Sequence, residues 1–428
     1  MNNSTENIKI TTLPNGIRVV SETLTYVQSI ALGLWVGVGS RDETDRLRGI
    51  SHFIEHMLFK GTKTRTAREL ADSIESRGGL INAFTGKETT CYEARILAED
   101  LPLALDILTD MFRNSLFDAE EMEREKRVVI EEIKMYEDMP EDSVHELFEA
   151  TLFPNHPLGL PIIGTEATVS GTSRDDILAY IETLYRPDRI VIAAAGNLSH
   201  EHLVELVNQK LGEMVGTAPT REKIAPVAAA EKILQNKRDV EQVHFCLGTS
   251  AYSKYDKERF PLSILNNVLG GNMSSRLFQE IREKRGLAYS IGSFARTYLE
   301  GGVFCIYGGT SPETFAQVQE LTSIECKKVL ESGISDDELT KAKTQVRGSL
   351  VLGLEGMSSR MSRYGESLLS MGRIMPIEEV ITEYESVTHE RIAEVAAKVL
   401  DEARWTHTAI GAFGANEEEA DEENEDKD

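Results

Sequence analysis

The stretch RGISHFIEHMLFKG sets His52, Glu55 and His56 among Phe53, Ile54, Met57, Leu58 and Phe59, which are the makings of a buried helix. At about 100° per residue, positions four apart lie about 40° apart and one turn up the helix, so both imidazoles can point at one metal ion. Glu55, about 60° round from His52, can stand beside such an ion without ligating it. The order H-x-x-E-H reverses the H-E-x-x-H zinc helix, with the acid on the other side of the histidine pair. Zinc takes about four ligands, and a catalytic site keeps one place for water. A third protein ligand must therefore come from elsewhere in the chain.

The segment AEEMEREKRVVIEEIKMYEDMP offers it. It reads as a helix that ends before Pro140, since the residue preceding a proline is pushed out of the helical region. Helical projection puts Met122, Val129, Ile133 and Tyr136 on one side, with Glu125 and Glu132 on that same side. Glu131 falls on the opposite side, near Arg124 and Arg127, and reads as solvated. An ionised carboxylate on an apolar face is costly unless it is paired or bound to a metal, and a nearby dication offsets that cost. Periodicity therefore prefers Glu132 to Glu131 as the third ligand and leaves the choice between Glu132 and Glu125 open.

These residues sit in one of two similar halves. SIALGLWVGVGSRDE is a strand-like run followed by the helix GISHFIEHMLFKG, and QVHFCLGTSAYSKYDKE is followed by FPLSILNNVLGG. Each half then adds an amphipathic helix (ARELADSIESRGG; SRLFQEIREKRG), a strand (LINAFTGKETTCYEARIL; LAYSIGSFARTYLEGGVFCIYG) and longer helices with acidic starts, which suit helix N-termini. The order predicts an α+β chain of two duplicated mixed α/β halves, each a two-layer sheet covered by helices. Residues 1–215 form the first half and 233–414 the second, with an Ala- and Pro-rich linker at 216–232 and an acidic tail at 415–428. Aligning FKG with LGG sets Leu262, Leu265 and Asn266 opposite His52, Glu55 and His56. The second copy does without all three polar groups, so they read as chemical rather than structural.

Composition narrows the partners. The net charge is −25, and the tail NEEEADEENEDKD holds nine acids and one lysine of it. Such runs are solvated and disordered. The remainder is still strongly acidic, which disfavours nucleic acid, whose phosphates need a basic surface. It favours a cationic partner such as a basic peptide. No apolar run reaches the roughly 18 residues of a membrane span, and the N-terminus MNNSTENIKITTLPNG lacks the features of a secretory signal or a transit peptide. Cys91, Cys246, Cys305 and Cys326 form no C-x-x-C pair, which fits a reducing cytosol.

With HFIEH at His52–His56 and Glu132 following His56 by 76 residues, the chain resembles the pitrilysin/insulinase family of zinc metallopeptidases. GGLINAFTGKETTCYE and GGNMSSRLFQEIREKRGLAYS extend the likeness from about Leu13 to about Leu400 and place it with the processing-peptidase branch. The resemblance implies a clamshell of two facing halves and one Zn2+ per chain, held by His52, His56 and Glu132. It implies Glu55 as general base, with Glu125, seven residues before the ligand, as a support to catalysis. It further implies that Arg282 and Tyr289 of REKRGLAY reach the substrate from the second half. LINAFT, around Asn82 and Ala83, would be an edge strand to which an extended peptide adds. The expected function is a zinc endopeptidase acting on extended peptides with basic residues, as a homodimer in a bacterial cytoplasm. A non-catalytic scaffold subunit or a peptide-binding protein of the same fold is the alternative, and the intact metal residues speak against it.

Overall fold

The computed structural model describes residues 7–237 and 240–413, so the acidic tail expected at 415–428 lies outside the described residues. The chain divides into two compact units. In the first, β1 (Ile8–Thr12), β2 (Arg18–Thr23), β3 (Ser29–Val36), β4 (Leu80–Thr85), β5 (Thr90–Leu97) and β6 (Ile190–Gly196) form a sheet in the order β1-β2-β6-β3-β5-β4. The β2–β6 pair is parallel and the others are antiparallel. In the second, β7 (Lys232–Asn236), β8 (Val243–Ala251), β9 (Ala288–Thr297), β10 (Gly302–Thr310) and β11 (Thr406–Gly411) run in the order β7-β11-β8-β10-β9, with β7–β11 parallel. Both sheets are mixed and covered by helices, as the alternation of strand and helix signals requires.

The helices of the first unit follow from their apolar spacing. α1 (Ile50–Leu58) buries Phe53, Ile54 and Met57, and α2 (Ala67–Glu75) buries Leu70 and Ile74 behind a Thr66 capping box. α3 (Leu101–Asn114) carries Pro102 in its first turn, where the missing N–H costs nothing. These side chains join Leu32, Leu34 and Ile192 in one core against the sheet. α4 (Ala119–Asp138) ends before Pro140, which opens α5 (Pro140–Leu152). Its buried arc is Met122, Glu125, Val129 and Ile133, while Glu131 is exposed, as periodicity has it. Tyr136 departs from the expectation. It shares the angular position of the buried arc but is 36% exposed, two residues from the end of the helix.

Two features differ from the sequence reading. LINAFTGKETTCYEARIL and LAYSIGSFARTYLEGGVFCIYG each fold as an antiparallel hairpin, β4–β5 and β9–β10, rather than as one strand. In the first, Gly86 N–H donates to the Thr89 carbonyl at 2.8 Å and closes the turn. In addition, the compact units are not contiguous segments like 1–215 and 233–414. Residues 134–159, with α5, belong to the second unit, and 350–376 belong to the first. α5 packs Val144, Phe148 and Leu152 with Cys246, Val303 and Cys305 of the second sheet.

The helix Met357–Met371 packs Met361, Tyr364 and Leu368 against Val20, Trp35 and Val191 on the other face of the first sheet. That makes a third layer there, where two were expected. Gly33 and Gly365 permit the approach. A Cβ on Gly33 would stand 2.4 Å from Met361 Sδ, and one on Gly365 would stand 2.4 Å from Trp35 Nε1. Polar bonds fix the helix in place: Tyr364 Oη donates to Glu22 Oε2 at 2.5 Å, and Arg360 pairs with Glu22 Oε1 at 2.5 Å.

Candidate metal centre

α1 and α4 bring His52, His56 and Glu132 together. Their ligand atoms lie within 4.8 Å of one another, and no other such group of three occurs among the described residues. Glu132 Oε2 is 4.0 Å from His52 Nε2 and 3.6 Å from His56 Nε2. Zinc bonds of roughly 2.0–2.2 Å set tetrahedral ligands about 3.4 Å apart, so these atoms need only close slightly to share an ion. The two rings stand edge to face, with centroids 4.6 Å apart.

The protonation states suit a cation. Burial holds His52 neutral by pushing its pKa down to about 4, helped by the neighbouring His56. His52 Nδ1 is itself buried without a hydrogen-bond partner. His56 Nδ1 stands 2.9 Å from Glu125 Oε1. An ionised carboxylate only accepts, so Nδ1 carries the hydrogen and the Nε2 lone pair is left facing Glu132. Glu125 also takes an ion pair from Lys60 Nζ at 2.6 Å. Burial pushes the Glu125 pKa up, but the His56 and Lys60 bonds outweigh it and hold the group below the ordinary carboxylate value. These contacts set apart the two carboxylates that periodicity left together. Glu125 is engaged by Nδ1 and a lysine, and Glu132 faces both Nε2 atoms. The donor set therefore fits zinc, with two imidazoles and one carboxylate ready to ligate.

Glu55 lies beside this group. Burial raises its pKa above the ordinary value, against the opposing effect of a hydrogen bond from Thr85 Oγ1. Thr85 ends β4, the edge strand of its sheet. On that strand Asn82 is exposed opposite Glu93, and Ala83 is partly buried opposite Tyr92. Ile81, Ala83 and Thr85 alternate onto the face that packs toward the core.

Arg282 and Tyr289 lie together in the second unit. The guanidinium sits 4.8 Å from the centre of the Tyr289 ring, and 4.8 Å from that of Phe278. The β9–β10 register shifts so that Gly309 faces Ser290 and Thr310 faces Ala288, which makes Tyr289 the extra residue of a bulge. Bulges re-aim side chains, and Tyr289 is 76% exposed. In the helix Arg259–Leu269 of the same unit, Leu262 and Leu265 are fully buried.

Sequence reasoning passed over Lys60 and Thr85. Lys60 lies four residues after His56, two past the end of α1. Thr85 shares its strand parity with Ala83. Both signals were present in the spacing, but neither says that a partner carboxylate is waiting.

Residues 18–166 match the model of the insulinase family, peptidase family M16, and residues 172–346 match that of the peptidase M16 inactive domain. The chain belongs to the M16 family. The chain is similar to the uncharacterized zinc protease YmxG of Bacillus subtilis, at 45% identity over 92% of this chain and 96% of that one. It is also similar to the uncharacterized zinc protease Rv2782c of Mycobacterium tuberculosis, at 43% over 95% and 93%. In fold it matches the crystal structure of a protease from Helicobacter pylori, with TM-score 0.88 and 22% identity over 94% of this chain and 99% of that chain. It likewise matches a peptidase M16 inactive domain structure from Pseudomonas fluorescens, with TM-score 0.89 and 19% identity over 96% and 98%. Leu262 and Leu265 lie within the residues matched by the model described as the inactive domain.

Proposed function

We propose that this M16 chain is a zinc-dependent endopeptidase acting on extended or unstructured peptides, with basic residues preferred. The observation that carries the proposal is the convergence of His52 Nε2, His56 Nε2 and Glu132 Oε2 beside a half-buried Glu55. One zinc per chain would be held by those three ligands. Bound there, zinc supplies Lewis acidity, acidifying water and polarising a carbonyl. Glu55, made more basic by burial, takes the proton from the attacking water and passes it to the departing amine as the C–N bond breaks. Glu125 holds His56 in the ring orientation and tautomer that ligation needs. The free edge of β4, at Asn82 and Ala83, offers backbone groups to an extended peptide. Arg282 and the exposed Tyr289 hydroxyl are the substrate-binding pair of the second unit, the phenol donating to a carbonyl oxygen.

The excess of acids over bases favours a basic peptide. Relatives from bacteria and four buried free thiols support a bacterial cytoplasmic setting, and a homodimer is the assembly we propose. No described helix is long and apolar enough to cross a membrane.

The test combines metal analysis with cleavage of an unstructured basic peptide. The wild-type chain should carry one zinc and cleave, and Glu55→Gln should keep the zinc and lose cleavage. Cleavage that survives Glu55→Gln overturns the role of the base. Purified chain without zinc and without cleavage returns the scaffold reading.

A further inference from the structure

α1 starts without a cap of its own. The residue at its N-cap is Gly49, in the left-handed region at φ +86°, and its first turn holds no acidic side chain. The leading N–H groups of a helix have no partner within the helix. Here two of the N–H groups at this end are met from outside by one side chain. Glu43 Oε2 accepts from the Gly49 N–H at 2.7 Å, and Glu43 Oε1 accepts from the Ser51 N–H at 2.8 Å. His52 is the next residue along the chain.

Glu43 is itself held by an anchored segment. Arg41 forms a buried ion pair with Glu88. Asp42 pairs with Arg221 at 2.5 Å and with Arg189 at 3.4 Å. On the helix side, Ser51 Oγ is 2.9 Å from Tyr180 Oη. A Cβ on Gly49 would stand 2.4 Å from the Ile163 carbonyl oxygen, so that backbone contact admits no side chain.

We infer that Glu43 is a positioning residue of the metal centre: its two backbone bonds fix the first turn of α1 and so set where His52 Nε2 stands relative to His56 and Glu132. The inference rests on the zinc reading of those three residues. Burial pushes the Glu43 pKa up to about 7 even against its two backbone bonds, so the carboxyl is kept there at a cost in desolvation.

The test measures zinc affinity, by competition with a chromogenic chelator, and the rise in Tm that zinc produces. It compares the full-length wild type with Glu43→Ala, Glu43→Gln and Thr66→Ala. Thr66 caps α2, which carries none of the three ligands, and so reports the effect of an ordinary lost cap. Glu43→Ala should weaken zinc by roughly ten- to hundredfold and shrink the zinc-induced rise in Tm. Glu43→Gln, which keeps one acceptor, should fall between that variant and wild type. Thr66→Ala should lower the Tm of the metal-free chain and leave zinc affinity unchanged. If Glu43→Ala does not fold, Glu43→Gln carries the comparison. Wild-type zinc affinity in the folded Glu43 variants overturns the inference while sparing the zinc reading. A wild-type chain that takes up no zinc overturns both.

Discussion

Glu125 Oε1 lies 2.9 Å from His56 Nδ1, and Lys60 Nζ closes on the other oxygen of the same carboxylate at 2.6 Å. The pair works as one unit: the lysine keeps the carboxylate charged, and the charge keeps the hydrogen on Nδ1. Glu125→Ala should lower zinc affinity by roughly ten- to hundredfold, the usual cost of removing a partner of a ligating histidine. Lys60→Ala should weaken it less, because the Glu125–His56 bond survives. Chelator competition on the two variants checks the order, and equal loss in both would contradict it.

Thr85 Oγ1 donates to Glu55 and so favours its charged form. Thr85→Val should raise the Glu55 pKa. The base is then protonated at higher pH, and the acid limb of the kcat/KM profile should move upward while zinc content stays at the wild-type value. An unmoved acid limb would separate Thr85 from the chemistry.

The metal-free chain should lose stability in mild acid. His52 has a folded pKa of about 4 and an ordinary value of 6.5, so the unfolded chain binds its proton first. Stability from this group is complete above pH 6.5, falls as the pH drops towards 4, and changes no further below that. The shift corresponds to a few kcal/mol, on the order of 3, at most. Urea unfolding in the presence of a chelator, repeated on His52→Gln, should show a flatter slope between pH 6.5 and 4 for the variant.

Gly365→Val should cost about 1–3 kcal/mol, because the new side chain meets the Trp35 ring in a filled space. The loss should appear as a lower Tm in both the metal-free and the zinc-loaded chain, with zinc affinity unaffected.

His52, Glu55 and His56 were legible in the sequence because four-residue spacing is a property of any helix, whatever surrounds it. Glu131 was separated from Glu132 for the same reason. Glu125 could not be separated from Glu132, since both lie on one side of α4, and only the tertiary placement of Lys60 and His56 Nδ1 distinguishes them. The hairpins were read as single strands because a tight turn such as Gly86–Thr89 hardly interrupts the apolar run. That Met357–Met371 covers the far face of the first sheet was beyond the sequence altogether. An amphipathic helix declares that it has a partner face, but the match of Gly33 and Gly365 around Trp35 is written in three dimensions.

The lending of α5 to one sheet and of Met357–Met371 to the other bears on how this molecule can be taken apart. A chain severed at residues 216–232 yields two fragments, each missing a covering helix and each carrying one that has lost its seat. Trp35, Val20 and Val191 would be bared to water in the first fragment, and Cys246, Val303 and Cys305 in the second. Neither piece should be recoverable as a folded product by itself. Produced together in one cell, the two should complement each other, each fragment supplying the covering helix that the other lacks.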